Sequence, residues 1–143
     1  MPYRFLEDMA TADVAFEAWG ESREELFIAA ADALLATMTE APESVERREE
    51  LVVRLEHEEA DLLLWSFLQE LVYLKDAKRL LLHGERARIS EAGGELSLEA
   101  LLKGERIDPE RHRLLVDVKA ATLHHLTLSR EGELWRGTVV LDV

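Results

Sequence analysis

Apolar and polar positions alternate with a period of two along several stretches of the chain, and at helical spacing along two others. Tyr3 to Glu7 predicts a short first strand, with Asp8 to Asp13 as a connection. Val14, Phe16 and Ala18 alternate against Ala15, Glu17 and Trp19, which predicts a second strand ended by Gly20. Ser22 and Glu25 then have the spacing of a capping box, a device that satisfies orphan amides at a helix start. Leu26, Ala30, Ala33, Leu34 and Met38 follow at helical spacing, with Glu24, Glu25 and Asp32 on more exposed faces, so this helix should be amphipathic and half buried. Pro42 breaks the pattern, and Arg48 to His57 reads as a strand with one solvated face. Asp61 to Tyr73 is apolar around most of a helical circumference, interrupted by Ser66, Gln69 and Glu70, and predicts a helix lying deep against the sheet. Asp61 suits its positive N-terminal end as a cap, and the polar residues Lys75 to Lys78 should end it. Leu80–Gly84 and Arg86–Ser90 read as strands, Glu91–Gly94 as a turn, Glu95–Gly104 as a further strand, and Ile107–His112 as a loop containing Pro109.

The last thirty residues predict a hairpin. From Leu114 to Leu128, one period-2 set holds Val116, Val118, Ala120, Thr122, His124, Leu126 and Leu128. The other set holds Asp117, Lys119, Ala121, Leu123, His125 and Thr127. Ser129 to Glu133 supply a turn around Gly132, and Leu134 to Val143 form the returning strand, ending in Asp142 and Val143. Adjacent His124 and His125 in such a strand point to opposite faces and form no site by themselves. Either the final strand simply packs in the sheet, or Asp142 and the carboxylate of Val143 are placed together as ligands. The whole pattern predicts one α+β domain over residues 1–143, a mostly antiparallel sheet arrangement with two principal helices packed on it.

Composition narrows the function classes. The 143 residues carry 30 acidic and 17 basic side chains, a net charge of -13, which opposes the counterion release that drives tight binding to a phosphate backbone. Direct, tight nucleic-acid binding is therefore not expected. Without cysteine there is no disulfide framework, thiol nucleophile or Cys-based zinc site, which suits a reducing cytoplasm. No leader or membrane-length apolar run is evident, so a cytoplasmic location is the expectation. Motifs of nucleotide binding, the serine nucleophile elbow and the His-Glu-x-x-His zinc helix are all absent. His57, His83 and His112 stand outside any motif. What remains is a carboxylate set at strand ends: Asp13 before the second strand, and Asp142 with Val143 at the end of the last.

At these positions the chain resembles the archease family. The resemblance is carried by Phe5–Glu7, Thr11–Asp13, Trp19 and Gly20 before an acidic helix, the Asp61–Tyr73 helix, Asp108–His112, Val118–Thr122 and Val140–Val143. It departs at Asp8–Ala10, where many members have a His just before Thr-Ala-Asp. The resemblance implies a non-enzymatic partner of the RtcB-type RNA ligase that promotes its guanylylation and multiple turnover in tRNA splicing or RNA repair. It further implies a calcium or other divalent-metal site at Asp13, Asp142 and the Val143 carboxylate, and a role for Lys119 in activating the partner. The chemistry is consistent: converging carboxylates are stabilised by a cation between them, and an all-oxygen set favours Ca²⁺ or Mg²⁺ over zinc. A small metal-dependent hydrolase using the same carboxylates is the alternative, although no general base is evident for it. A general acidic chaperone is a third reading, distinguished by broad suppression of aggregation without specificity for a ligase.

Overall fold

The computed structural model describes residues 2–7 and 13–143. Its strands are β1 (Tyr3–Leu6), β2 (Val14–Gly20), β3 (Glu49–His57), β4 (Leu80–Ala92), β5 (Glu95–Arg106), β6 (Ala120–Ala121), β7 (Thr127–Glu131) and β8 (Leu134–Asp142). Helix α1 spans Arg23–Met38, α2 spans Ala60–Lys78, and Pro42–Ser44 form a single 3-10 turn. All pairing is antiparallel. One sheet runs β1-β2-β8, with β6 and β7 both on the far edge of β8, and the other runs β3-β5-β4. This is the expected α+β domain, resolved into two sheets.

The helices hold the sheets together, α1 touching β2 and β4, and α2 touching β3 and β6. Each helix therefore contacts both sheets. That arrangement corrects the half-buried expectation for α1: Ala29, Ala30, Ala31, Ala33, Leu34 and Leu35 are all buried, because small side chains allow sheets to approach from both sides. Phe27 of α1 stacks against Phe67 of α2, with ring centroids 5.8 Å apart, at the centre of the core. The capping spacing is realised almost as predicted. Ser22 Oγ accepts from the Glu25 amide at 3.1 Å, while Glu25 Oε2 reaches one residue further back than the usual partner, accepting from the Glu21 amide at 2.7 Å. Replacing Ser22 with Ala should cost about 1 kcal/mol, measurable by urea denaturation, with no change in the denaturant slope.

Helix α2 begins one residue earlier than expected, with Glu59 as N-cap, and Asp61 sits in the first turn. It also runs on to Lys78, because Lys and Asp at these positions are compatible with a helix and nothing breaks it before Arg79. Arg79 takes a left-handed conformation, φ 56°, and donates its N–H to the Leu74 carbonyl. Leu80–Ser90, read as two pieces, is one strand with an irregularity between Gly84 and Arg86. Gly93 and Gly94, at φ 61° and 79°, make the two-residue β4–β5 turn.

The terminal hairpin differs most from expectation. Residues 114–128 are not one strand: only Ala120–Ala121 and Thr127–Glu131 pair with β8. Ala121 lies opposite Leu141 and Thr127 opposite Thr138, so six steps of one chain meet three of the other. The three surplus residues loop out, with His125 in the left-handed region at φ 55°. In consequence the His124 and His125 rings do not point to opposite faces but meet edge to face, with centroids 4.3 Å apart. The face alternation fails as well, since Val118 and Ala121 are buried while Val116 is exposed.

Candidate functional site

β2 and β8 are adjacent antiparallel strands in register Val14–Leu141 and Phe16–Val139. Asp13 directly precedes Val14 and Asp142 directly follows Leu141, so both residues lie at the end of the strand pair that Val14–Leu141 closes. Like charges close together there destabilise the pairing. Neither aspartate makes an ion pair among the described residues. Two carboxylates near one another could hold a hard divalent cation through oxygen ligands. Among the described residues no three His, Cys, Asp or Glu side chains gather at metal-binding distance. Val143 follows Asp142 directly and packs its side chain against the core.

Lys119 lies immediately before β6, not within a strand, and is exposed. Its backbone N–H donates to the Asp142 carbonyl at 2.8 Å, which brings it to the end of β8 beside the aspartates. It makes no ion pair among the described residues. The backbone therefore brings Asp13, Lys119 and Asp142 to one end of one sheet, with no hydrogen bond or ion pair joining their side chains among the described residues. The departure at Asp8–Ala10 falls on residues outside the described set, apart from which Asp13 is the first residue described after them.

Sequence reasoning missed what holds this segment. Trp65 Nε1 of α2 donates to the Ala121 carbonyl at 2.8 Å, and Gln69 Oε1 accepts from the Ala121 amide at 2.8 Å. Lys75, expected with its polar neighbours to end the helix, lies within it and is buried at 4% exposure; its ammonium donates to the Val118 carbonyl at 2.6 Å and Asp117 at 2.5 Å, and pairs with Asp76 at 2.7 Å. The helix thus supplies, from side chains, hydrogen bonds that a neighbouring strand would otherwise give to residues 117–121. Polar residues breaking the apolar surface of α2 were the available signal. The cost of desolvating the Lys75 ammonium is offset only while those three oxygens surround it.

The arrangement can be compared with known proteins. The model of the archease protein family (MTH1598/TM1083) matches residues 3–143. The chain belongs to the archease family. It is 33% identical over 135 residues to protein archease of Pyrococcus furiosus, covering 93% of this chain and 94% of the relative. It is 34% identical over 142 residues to protein archease of Methanosarcina mazei, covering 99% and 95%. The archease fold here superposes on the solution structure of Methanobacterium thermoautotrophicum protein 1598 with a TM-score of 0.86, at 33% identity over 99% of both chains. A crystal structure from Thermotoga maritima, described as an archease and possible chaperone, matches at TM-score 0.63 and 25% identity over 96% of both chains. Among the described residues of this archease, no helix is long and apolar enough to cross a membrane.

Proposed function

We propose that this archease is a non-enzymatic activator of an RtcB-type RNA ligase, acting in the cytoplasm in tRNA splicing or RNA repair. The observation that supports the reading is the backbone placement of Asp13, Asp142 and Lys119 at one end of the β2–β8 pair, each without an ion-pair partner among the described residues. Asp13, Asp142 and the Val143 carboxylate would hold Ca²⁺, or another hard cation such as Mg²⁺, through oxygen ligands. The cation would neutralise the carboxylates and leave coordination positions open to a phosphate oxygen. Lys119, presented beside that cluster on an exposed segment, supplies a compact positive charge for a phosphate or carboxylate of the partner. A net charge of -13 argues for action on a protein and against independent capture of RNA.

A partner needed in less than stoichiometric amounts can raise turnover only by lowering the barrier to the ligase's self-guanylylation or by resetting its metal and phosphate geometry. The test is label transfer from GTP to the host's ligase with one tenth of an equivalent of this protein. Faster labelling and multiple-turnover ligation are expected, with no nucleotide hydrolysis or ligation by the protein alone. Absence of acceleration with metal supplied would end the activator reading, and suppression of aggregation of unrelated proteins would favour a general chaperone.

A further inference from the structure

The stretch that carries Lys119 begins with a feature which the metal cluster does not explain. Leu114, Leu115 and Val116 are consecutive and 46%, 56% and 42% exposed. Single exposed apolar residues are ordinary, but three in a row bordering a groove mark a contact surface. The groove beneath them has a volume of about 330 Å³, with Met38, Leu81 and Ile107 in its apolar lining and Lys75 and Asp117 among its polar residues.

The backbone gives the second half of the argument. Glu40 donates its N–H to the Arg113 carbonyl at 2.8 Å, and Leu115 donates its N–H to the Met38 carbonyl at 2.9 Å. Residues 113 and 115 therefore turn their peptide groups toward 38–40, and in an extended chain residues 114 and 116 turn theirs the other way. The N–H groups of Leu114 and Val116 make no hydrogen bond among the described residues. An open peptide edge flanked by apolar side chains is what strand addition uses: main-chain hydrogen bonds provide affinity and side-chain contacts provide selectivity.

Two observations choose the occupant. Lys119 follows Val116 by three residues, about 10 Å in an extended chain, so a protein engaged by Lys119 is already beside the ridge. A second copy of this chain would bring another charge of -13 to the same place. We propose that Leu114–Val116 receives an extended, apolar-faced segment of the partner protein as an added strand, seating the partner so that Lys119 reaches its site. The proposal rests on the reading above that this partner is the RNA ligase.

Calorimetric titration of the full chain into the ligase tests it, using Leu115→Asp, which alters an exposed side chain, and Val116→Pro, which removes one of the open N–H groups. Both should weaken binding at least tenfold while calcium affinity and melting temperature stay at wild-type values. Should the proline variant lose melting temperature, Leu115→Asp decides alone. Wild-type affinity in Leu115→Asp, with wild-type protein still accelerating guanylylation, overturns the docking ridge and leaves the activator reading intact. A wild-type dimer in sedimentation that Leu115→Asp converts to monomer overturns it in favour of a second copy. Failure of the wild type to bind or stimulate the ligase removes both.

Discussion

Replacing Glu105 with Ala should destabilise the protein by about 3 kcal/mol, a fall of roughly 10 °C in melting temperature. Glu105 lies near the end of β5 and is 5% exposed. Its Oε2 accepts from the Glu46 amide at 2.5 Å, and its Oε1 is paired with Arg111. His112, also buried, uses Nδ1 to accept from the Asp108 amide at 2.9 Å, which puts its proton on Nε2, 3.2 Å from Glu105 Oε2. Nε2 has no hydrogen-bond partner among the described residues, so this carboxylate is what faces it. Truncation removes the acceptor of the Glu46 amide and the carboxylate beside buried His112 Nε2, whereas Arg111, more than a third exposed, can turn to water. Burial raises the Glu105 pKa, but the Glu46 amide, His112 and Arg111 together outweigh it and hold the carboxyl below its ordinary value. Its stabilisation is therefore present above the ordinary carboxylate range and is lost as pH falls through the lowered value. Glu105→Gln should be less stable than wild type at neutral pH, and the gap should close in acid. Paired urea denaturations across that range measure it; a gap independent of pH would mean that shape, not charge, is what Glu105 contributes. The cluster joins β5, the turn after Ser44 and the 108–112 loop, and so anchors the entry to the Leu114–Lys119 stretch.

Local signals served where one element answers to its own pattern. Val14–Gly20, Glu49–His57 and the two helices follow period-2 or helical spacing because each presents a regular face to a core, and their outlines match the sequence reading within a few residues. Residues 114–128 break that logic. Their alternation predicts one strand, yet β8 has too few positions opposite Ala121 to Thr127, and the surplus at Leu123–His125 loops out. Sequence periodicity counts residues in one strand and says nothing about how many its partner offers. Lys75 reads in sequence as part of a polar run that ends the helix; the arrival of Asp117 and the Val118 carbonyl from 42 and 43 residues away makes its burial within the helix tolerable. At the candidate site the residues were named from the family resemblance, while the placement of Asp13 and Asp142 at one end of the strand pair depended on the β2–β8 register. The tethering of Lys119 to the Asp142 backbone is likewise a tertiary fact.

Asp142→Asn should act in opposite directions on metal affinity and on folding. The substitution keeps the side chain's shape and removes one ligand charge, so calcium binding should weaken at least tenfold. In metal-free buffer it also removes a negative charge at the end of the strand pair that Asp13 precedes, and relief of like-charge repulsion there should leave the melting temperature unchanged or raise it. A residue with a purely structural role would show lower stability with no selective effect on calcium. Extending the chain beyond Val143 tests the third ligand, since amidation of that carboxylate removes its charge without touching either aspartate; an extension before Met1 is the control. Equal calcium affinity for the two extended proteins would take Val143 out of the site. Lys119→Ala separates the cation from the contact with the partner. Its side chain is exposed and makes no ion pair among the described residues, so stability should change by no more than about 0.5 kcal/mol. Its tether to Asp142 is a backbone hydrogen bond that alanine retains, so calcium affinity should hold. Stimulation of guanylylation should nevertheless fall at least tenfold. Stimulation at the wild-type level by Lys119→Ala would exclude that ammonium from the activating contact, and loss of calcium binding in the same variant would move its role from the partner to the metal.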